Sequence, residues 1–266
     1  MKSGKERGVF KDLTMLRTLV RREFSIRYRD SFLGFLWIFA SPLLMIATYS
    51  LFMFGVVRNL DTGTRVSQGH AGLAGLWVCL GLWQWLAEGT NRAAVVAHEN
   101  AAMVKKTPVK LALLPLTNVI VSSIGFLLPL VGGVALITVY GNGSESFPLL
   151  LLGLVSLLPW FVGVAFFATV VGTFVRDTKH ALPICFNVGL FLSPILYSRE
   201  QAPTLLADVL ALNPLGYHFE LIQYAVGGQQ MPDVQATVFT TGLGLVFCFA
   251  SLRLFSLRSG EFSDVV

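Results

Sequence analysis

The sequence predicts an all-α polytopic membrane protein with six transmembrane helices. It also predicts an N-terminal amphipathic helix lying in the interface and an external re-entrant helical hairpin between spans five and six. Three observations lead there. The 266 residues are 54% hydrophobic and only 13% charged, where ordinary globular domains carry about 25% charged residues. Mean hydropathy is +0.68. The apolar residues gather into runs of the roughly 20 residues a helix needs to cross a bilayer, and lysine and arginine gather between the runs. Residues 1–266 read as one transmembrane domain, without internal repeat, low-complexity tract or separate soluble domain.

The first element is residues 12–30. Leu13, Leu16, Val20, Phe24 and Tyr28 recur at steps of three or four, with Arg17, Arg21, Arg22 and Arg29 largely on other faces. That periodicity predicts an amphipathic helix in the headgroup plane, apolar side down and arginines toward anionic lipid. Arg21, Arg22, Arg27 and Arg29 are the candidates for a lipid-surface contact or an access point for a lipid. "DSFLG" then turns the chain into the first span, 33–57. The further spans are 72–95, 111–140 (bent by Pro115 and Pro129), 147–174, 180–198 and 235–257. Between the last two, residues 202–228 split at Asn213-Pro214 into two helical patterns of 10 to 13 residues. Each is too short to cross, which predicts the hairpin; the alternative is a seventh, proline-kinked span, which would put the two termini on opposite sides. The first segment lacks the continuous apolar core of a cleaved signal, so span one acts as an uncleaved anchor.

The basic residues orient the spans. The arm to residue 34 holds nine of the 20 lysines and arginines. Lys105, Lys106, Lys110, Arg176, Lys179, Arg253 and Arg258 fall on the same side, and only Arg58, Arg65 and Arg199 on the other. By the positive-inside rule both termini are cytoplasmic, in a cytoplasmic (inner) membrane. The same distribution argues against nucleic acid as the reason for the net charge of +5.

Catalytic chemistry finds little support. His70, His98, His180 and His218 lack ligand spacing, and no serine sits in G-x-S-x-G. Cys79, Cys185 and Cys248 lie inside apolar runs as small hydrophobes. Glu88 and Arg92, four residues apart, read as a structural pair. No G-x-x-x-x-G-K-[ST] is present, so nucleotide must be handled by another chain. The chain is read as no enzyme by itself and as having no cofactor of its own.

The stretch "RREFSIRYRDSFLGFLWIFASPLLMIATYSLFMFG" resembles the start of the membrane subunits of ABC type-2 polysaccharide exporters. Matching positions are Arg22, Glu23, Arg27, Tyr28, Ser31, Leu33, Gly34, Trp37, Pro42, Leu44, Met45 and Tyr49. The likeness continues in order through "ENAAMVKKTPVKLALLPL", "FVRDTKHALPI", "LFLSPILYS", "LNPLGYHFELI" and "RLFSLRSGEFSDVV". Any one motif is weak; the ordered series is fairly specific. The resemblance implies a homodimer with two copies of a separate ABC ATPase subunit that holds ATP and Mg. The implied cargo is a lipid-linked polysaccharide, as in O-antigen, capsule or teichoic-acid export. A small drug or lipid as cargo is the alternative within the class, and a membrane glycosyl- or acyltransferase the alternative outside it.

An ATPase under the membrane needs a segment to push. Residues 97–110 are the best candidate, with Glu99, Asn100, Lys105 and Lys106 as contacts and Pro108 ending any helix. Arg176 and Asp177, in "RDTK", are a smaller second contact. Read from the residues alone, both are equally well solvated positive-inside loops; the resemblance favours coupling for the first. A glycan path calls for aromatic faces without strong ionic sites. Trp37, Tyr49, Phe52, Trp160, Phe191 and Tyr197 are its candidates, against a lipid-facing or packing role for each. Trp77, Trp83 and Trp85 fit an interfacial belt better. Leu205, Leu206, Leu210, Tyr217 and Phe219 of the hairpin are expected near the external mouth.

Overall fold

The computed structural model describes residues 4–27, 32, 34–52, 70–106, 110–140, 147–197, 199, 202–226 and 232–266, and among them no strand occurs. The helices are α1 (Gly4–Arg27), α2 (Trp37–Phe52), α3 (His70–Glu99), α4 (Ala101–Lys106), α5 (Leu113–Tyr140), α6 (Phe147–Phe174), α7 (Thr178–Phe191), α8 (Thr204–Leu212), α9 (Gly216–Ala225), α10 (Val234–Arg258) and α11 (Phe262–Val265). The predicted amphipathic helix therefore starts eight residues earlier than expected. A 3-10 turn at Gly34–Leu36 leads into α2, and Gly34 has φ 47°, the left-handed backbone that glycine adopts without a Cβ clash. Residues 53–57 of the expected first span lie outside the described residues, as do Arg29 and Pro108.

Among the described residues, four helices are long and apolar enough to cross a membrane: Gly34–Phe52, Leu113–Leu136, Phe147–Phe174 and Val234–Val265. The expected second and fifth spans are different in kind. Helix α3 is long enough, at 30 residues, but carries Gln84, Glu88, Asn91 and Arg92. It tolerates them because it is the central helix, with α5 and α6 along its flanks and α7 and α9 against it. Helix α7 has 14 residues, about 21 Å of rise, and gives way to turns at 192–197.

Side-chain contacts give the helix directions. Gly81 of α3 faces Pro129 and Phe126 of α5, while Gly133 of α5 faces Val78 and the Ala74 carbonyl of α3, so α5 runs antiparallel to α3. Trp85 meets Phe161, and Gly172 meets Ala94, so α6 runs parallel to it. Trp160 lies on Gly244 and Phe166 on Phe255, so α10 follows α6. One end of the bundle thus collects α1, the last turns of α3, α6 and α10, and the first turns of α5 and α7. It is called the basic end below, because most of the described lysines and arginines lie there.

Helix α10 shows what solvent this fold expects. It buries Thr237, Thr240, Gly244 and Ser251 and exposes Val238, Phe239, Leu245, Val246 and Phe249, the last at 71%. In water that arrangement is inside out. In lipid it is the expected one: small and hydroxyl residues allow close helix packing, and the apolar face meets the tails. Thr237, Thr240 and Thr241 return their hydroxyl protons to carbonyls one turn back at 2.7–2.8 Å. Helix α2 likewise buries only the stripe Ile38, Pro42 and Ile46.

The interior is riveted by indoles. Trp77 donates to Ser50 Oγ at 3.2 Å, Trp83 to the Phe186 carbonyl at 3.2 Å, and Trp85 to the Val119 carbonyl at 2.8 Å. Each bond joins two different helices. The expectation of an interfacial belt for these three is therefore corrected: Trp83 is 5% exposed, and Trp85 stacks on Phe126 and stands edge-on to Phe161. A tryptophan at such a seam combines large apolar area with one N–H to place.

Residues 202–226 form two short helices, α8 and α9, with the turn at 213–215. The Asn213 side chain makes the turn by accepting the Leu215 N–H at 3.0 Å. It also donates to the Leu192 carbonyl at 2.9 Å and to Ser193 Oγ at 2.8 Å. Gln223 donates to the carbonyls of Pro194 and Ile195 at 3.1 and 3.3 Å. The carbonyls released where α7 ends are thus met by two amide side chains, which is how irregular backbone is tolerated inside a bundle. Leu210 and Phe219 are fully buried rather than turned to an opening, whereas Leu205 is 79% exposed.

Candidate functional site

At the basic end, α1 lies across α3 and α5. Its apolar stripe, Met15, Leu16 and Leu19, packs on Val96, Leu113 and Leu114. Its charged face then locks onto α3. Arg27 pairs with Glu88 at 2.7 Å, with the Arg27 side chain only 4% exposed. Arg92 lies 3.8 Å from Glu88 and 3.7 Å from Glu23. Lys110 pairs with Asp12. Burying a guanidinium costs several kcal/mol unless a partner offsets it, so Glu88 sets where α1 rests.

Arg22 belongs to the same system. It donates to Asn100 Oδ1 at 2.5 Å, and its other terminal nitrogen lies 3.9 Å from Met103 Sδ. Asn100 is 9% exposed. Its amide donates to the Val96 carbonyl at 2.9 Å, and its own carbonyl accepts the N–H groups of Met103 and Val104. It is therefore the joint between α3 and α4. Arg21 is exposed.

Gly172 determines what stands beside that joint. A Cβ built on it would lie 2.0 Å from the Ala94 carbonyl oxygen, so α3 and α6 touch here backbone to backbone. The Thr169 hydroxyl donates across the same seam to the Ala93 carbonyl at 3.0 Å. Where the helices diverge, a cavity of about 330 Å³ opens. Ala94, Val95, His98 and Glu99 line it from α3, Gly172 from α6, and Arg176 and Lys179 from the α6–α7 link. His98 Nε2 is buried there with no partner among the described residues. Glu99 has its pKa raised above the usual 4.5, chiefly by burial; Arg92 opposes the shift, Glu23 adds to it and Arg27 opposes it.

The predicted site residues are therefore distributed as follows. Glu99 and Arg176 share the cavity. Asn100 sits at the joint, and Lys105 is exposed on α4. Lys106 ends α4, with its side chain outside the described residues. Asp177 is exposed, and its carbonyl accepts the N–H groups of His180 and Ala181 at the start of α7. The aromatic candidates split. Trp37, Phe52 and Phe191 are 42%, 52% and 52% exposed. Tyr49, Trp160 and Tyr197 pack against the core, with Trp160 donating to the Thr240 carbonyl at 3.2 Å and Tyr197 donating to the Phe191 carbonyl.

Sequence reasoning missed His98 and Lys179 as cavity residues. The spacing of "AHEN" places His98 beside Glu99, but nothing local says which helix stands opposite. It also missed a buried His218, which bridges Ser156 and Thr240 at 2.8 and 3.3 Å and ties α9 to α6 and α10. No group of three His, Cys, Asp or Glu side chains among the described residues comes together as a metal site.

A multi-helix bundle with a lipid-adapted outer face, a charged clamp and a polar cavity at one end is the frame of a membrane translocation subunit. The sequence matches the ABC-2 type transporter family over residues 14–226, and the chain belongs to that family as a multi-pass permease subunit. Among curated relatives, it is 26% identical over 208 residues to the O-antigen export system permease protein RfbA of Klebsiella pneumoniae, covering 76% of this chain and 75% of that one. It is 25% identical over 258 residues to the RfbA protein of the same description from Myxococcus xanthus, covering 95% of each chain.

Proposed function

We propose that this chain is the membrane half of an ATP-driven exporter that moves lipid-linked polysaccharide, of O-antigen or capsular type, across the cytoplasmic (inner) membrane. Two copies form the path, and two copies of a separate ABC ATPase, carrying ATP and Mg, sit beneath the basic end. In this reading α3 and α7 complete six spans, both termini are cytoplasmic, and α8–α9 form a re-entrant hairpin at the external mouth.

One observation carries the coupling part. The two polar connectors singled out in the sequence, 97–110 and 176–179, converge on one cavity at the basic end, with Glu99 from one and Arg176 from the other. A partner pressing there acts on α3, α6 and α7 together. Lys105, exposed on α4, offers a docking charge at its edge. The names of the relatives support the glycan cargo. The exposed Trp37, Phe52 and Phe191 offer flat faces for sugar rings where two copies meet, while Tyr49, Trp160 and Tyr197 back that wall. Arg21, exposed on α1, remains for anionic lipid, and Arg22 and Arg27 hold the helix that presents it.

Deletion of the gene is expected to trap finished lipid-linked glycan inside the cell, read by glycolipid extraction and surface staining. Normal surface glycan in the deletion strain, with altered drug or lipid efflux instead, would replace this cargo with a small molecule.

A further inference from the structure

After α10 the chain continues in right-handed helical backbone to its last residues. Ser259–Glu261 form a 3-10 turn, and Arg258 clasps both carboxylate oxygens of Glu261 at 3.2 and 2.9 Å. Helix α11 follows and lies against α4 and α6, with Phe262 buried at 1% exposure. Its ring stands edge-on to Phe255 at 5.5 Å and to Phe174 at 5.9 Å. The cluster it completes holds Ala97 of α3 and Phe166 and Val170 of α6, and Val104 and Val266 pack against it. Val104 lies on α4.

Helix α4 has only six residues. A helix that short has no independent stability and takes its position from what packs on it. Val104 belongs to two clusters at once, one built around Phe262 and the other around Leu19 of α1. On the α1 side, Arg22 holds Asn100 and reaches Met103. On the far side α11 lies against α4 and contributes Phe262, its buried aromatic, while Lys105 remains exposed.

We infer that residues 259–266 are a brace for α4, with Phe262 a positioning residue that sets the stance of the coupling segment from below. The transport consequence rests on the reading of α4 as the segment the ATPase contacts; the brace itself does not. With Phe262 reduced, α4 keeps its exposed lysine and still binds its partner. It yields under load, so hydrolysis is no longer fully converted into movement.

The test has two arms. In the first, Cys79, Cys185 and Cys248 are replaced and paired spin labels are placed at Lys105→Cys and Leu257→Cys. Phe262→Ala is expected to broaden the distance distribution between them, and Phe262→Leu to restore it in part. An unchanged distribution in Phe262→Ala overturns the brace without touching the ATPase reading. If Phe262→Ala fails to fold, Phe262→Leu carries the same comparison against the parent.

In the second arm, the whole transporter with its cognate ATPase is reconstituted. Phe262→Ala should retain the ATPase on purification while glycan moved per ATP falls at least about fivefold, the low end of a coupling free energy between sites. Parental transport per ATP would overturn the positioning role. Broadened α4 distances together with an ATPase that ignores Lys105→Glu would instead remove the coupling reading and leave the brace standing.

Discussion

Gly172→Ala is a small change with a large expected effect. The added Cβ would sit 2.0 Å from the Ala94 oxygen, 2.7 Å from its carbonyl carbon and 2.9 Å from its Cα. All three are backbone atoms inside a helix, so no side chain can swing aside. Ordinary contact begins near 3.4 Å, so α3 and α6 must part by more than an ångström. Overpacking typically costs 1–3 kcal/mol, and with rigid backbone on both sides about 3 kcal/mol is expected. Replacing glycine by alanine in a helix returns about 1 kcal/mol of propensity, leaving a net loss of about 2 kcal/mol. The internal control is Gly242 of α10, where an added Cβ meets nothing within 4 Å. Gly242→Ala should keep the propensity gain alone, about 1 kcal/mol. Reversible unfolding of the purified protein in mixed micelles would separate the two variants by about 3 kcal/mol, the sum of these effects. Equal stability of Gly172→Ala and the parent would refute the backbone-to-backbone contact and the cavity geometry built on it.

Two further outcomes follow from the hydrogen bonds and charges. Asn213→Ala removes donors from the Leu192 carbonyl and Ser193 Oγ and the acceptor for the Leu215 N–H; a loss of about 1–3 kcal/mol is expected for the stranded buried groups, with faster amide exchange at the end of α7 and start of α9 than in α6. Glu99 has its folded pKa raised by burial, so the folded state holds its proton more tightly than the unfolded one. Its contribution is therefore most favourable below the ordinary value of 4.5 and is lost as pH rises through the raised value. Glu99→Gln should stabilise the protein at neutral pH, and the advantage should shrink on acidification toward 4.5, measured by unfolding midpoints against pH.

What the sequence made legible was whatever depends on local periodicity and on breakers. The bounds of α6 match the hydropathy run 147–174, and the turn between α8 and α9 falls at Asn213-Pro214 because proline cannot continue the first helix. Periodicity marks the face of α1 that is apolar, but not what covers it. The arginines read as facing lipid include Arg22 and Arg27, which turn inward because Asn100 and Glu88 lie far along the chain and arrive only on folding. The charges on α3 likewise reduce its hydropathy, yet they find partners on α1, Glu88 with Arg27 and Arg92 with Glu23. Trp77, Trp83 and Trp85 looked interfacial by type, and the distinction lay in carbonyls and hydroxyls on other helices. Phe262 lies in the tail motif but gave no periodic signal of burial, since four helical residues carry no period.

The contact between α3 and α6 also restricts how this bundle can deform. With no side chain between them at Gly172, and with Gly75 and Gly153 letting Gln223 and Val226 or Ile222 of the α9 segment close in at the other end, the pair has little slack along its length. Such close packing favours movement of the pair as one stiff unit, like a pushrod. Bending must therefore be taken up by what is fastened less tightly around it: the short α7, exposed along Ile184, Val188 and Phe191, and α8, which meets its surroundings mainly through Leu210.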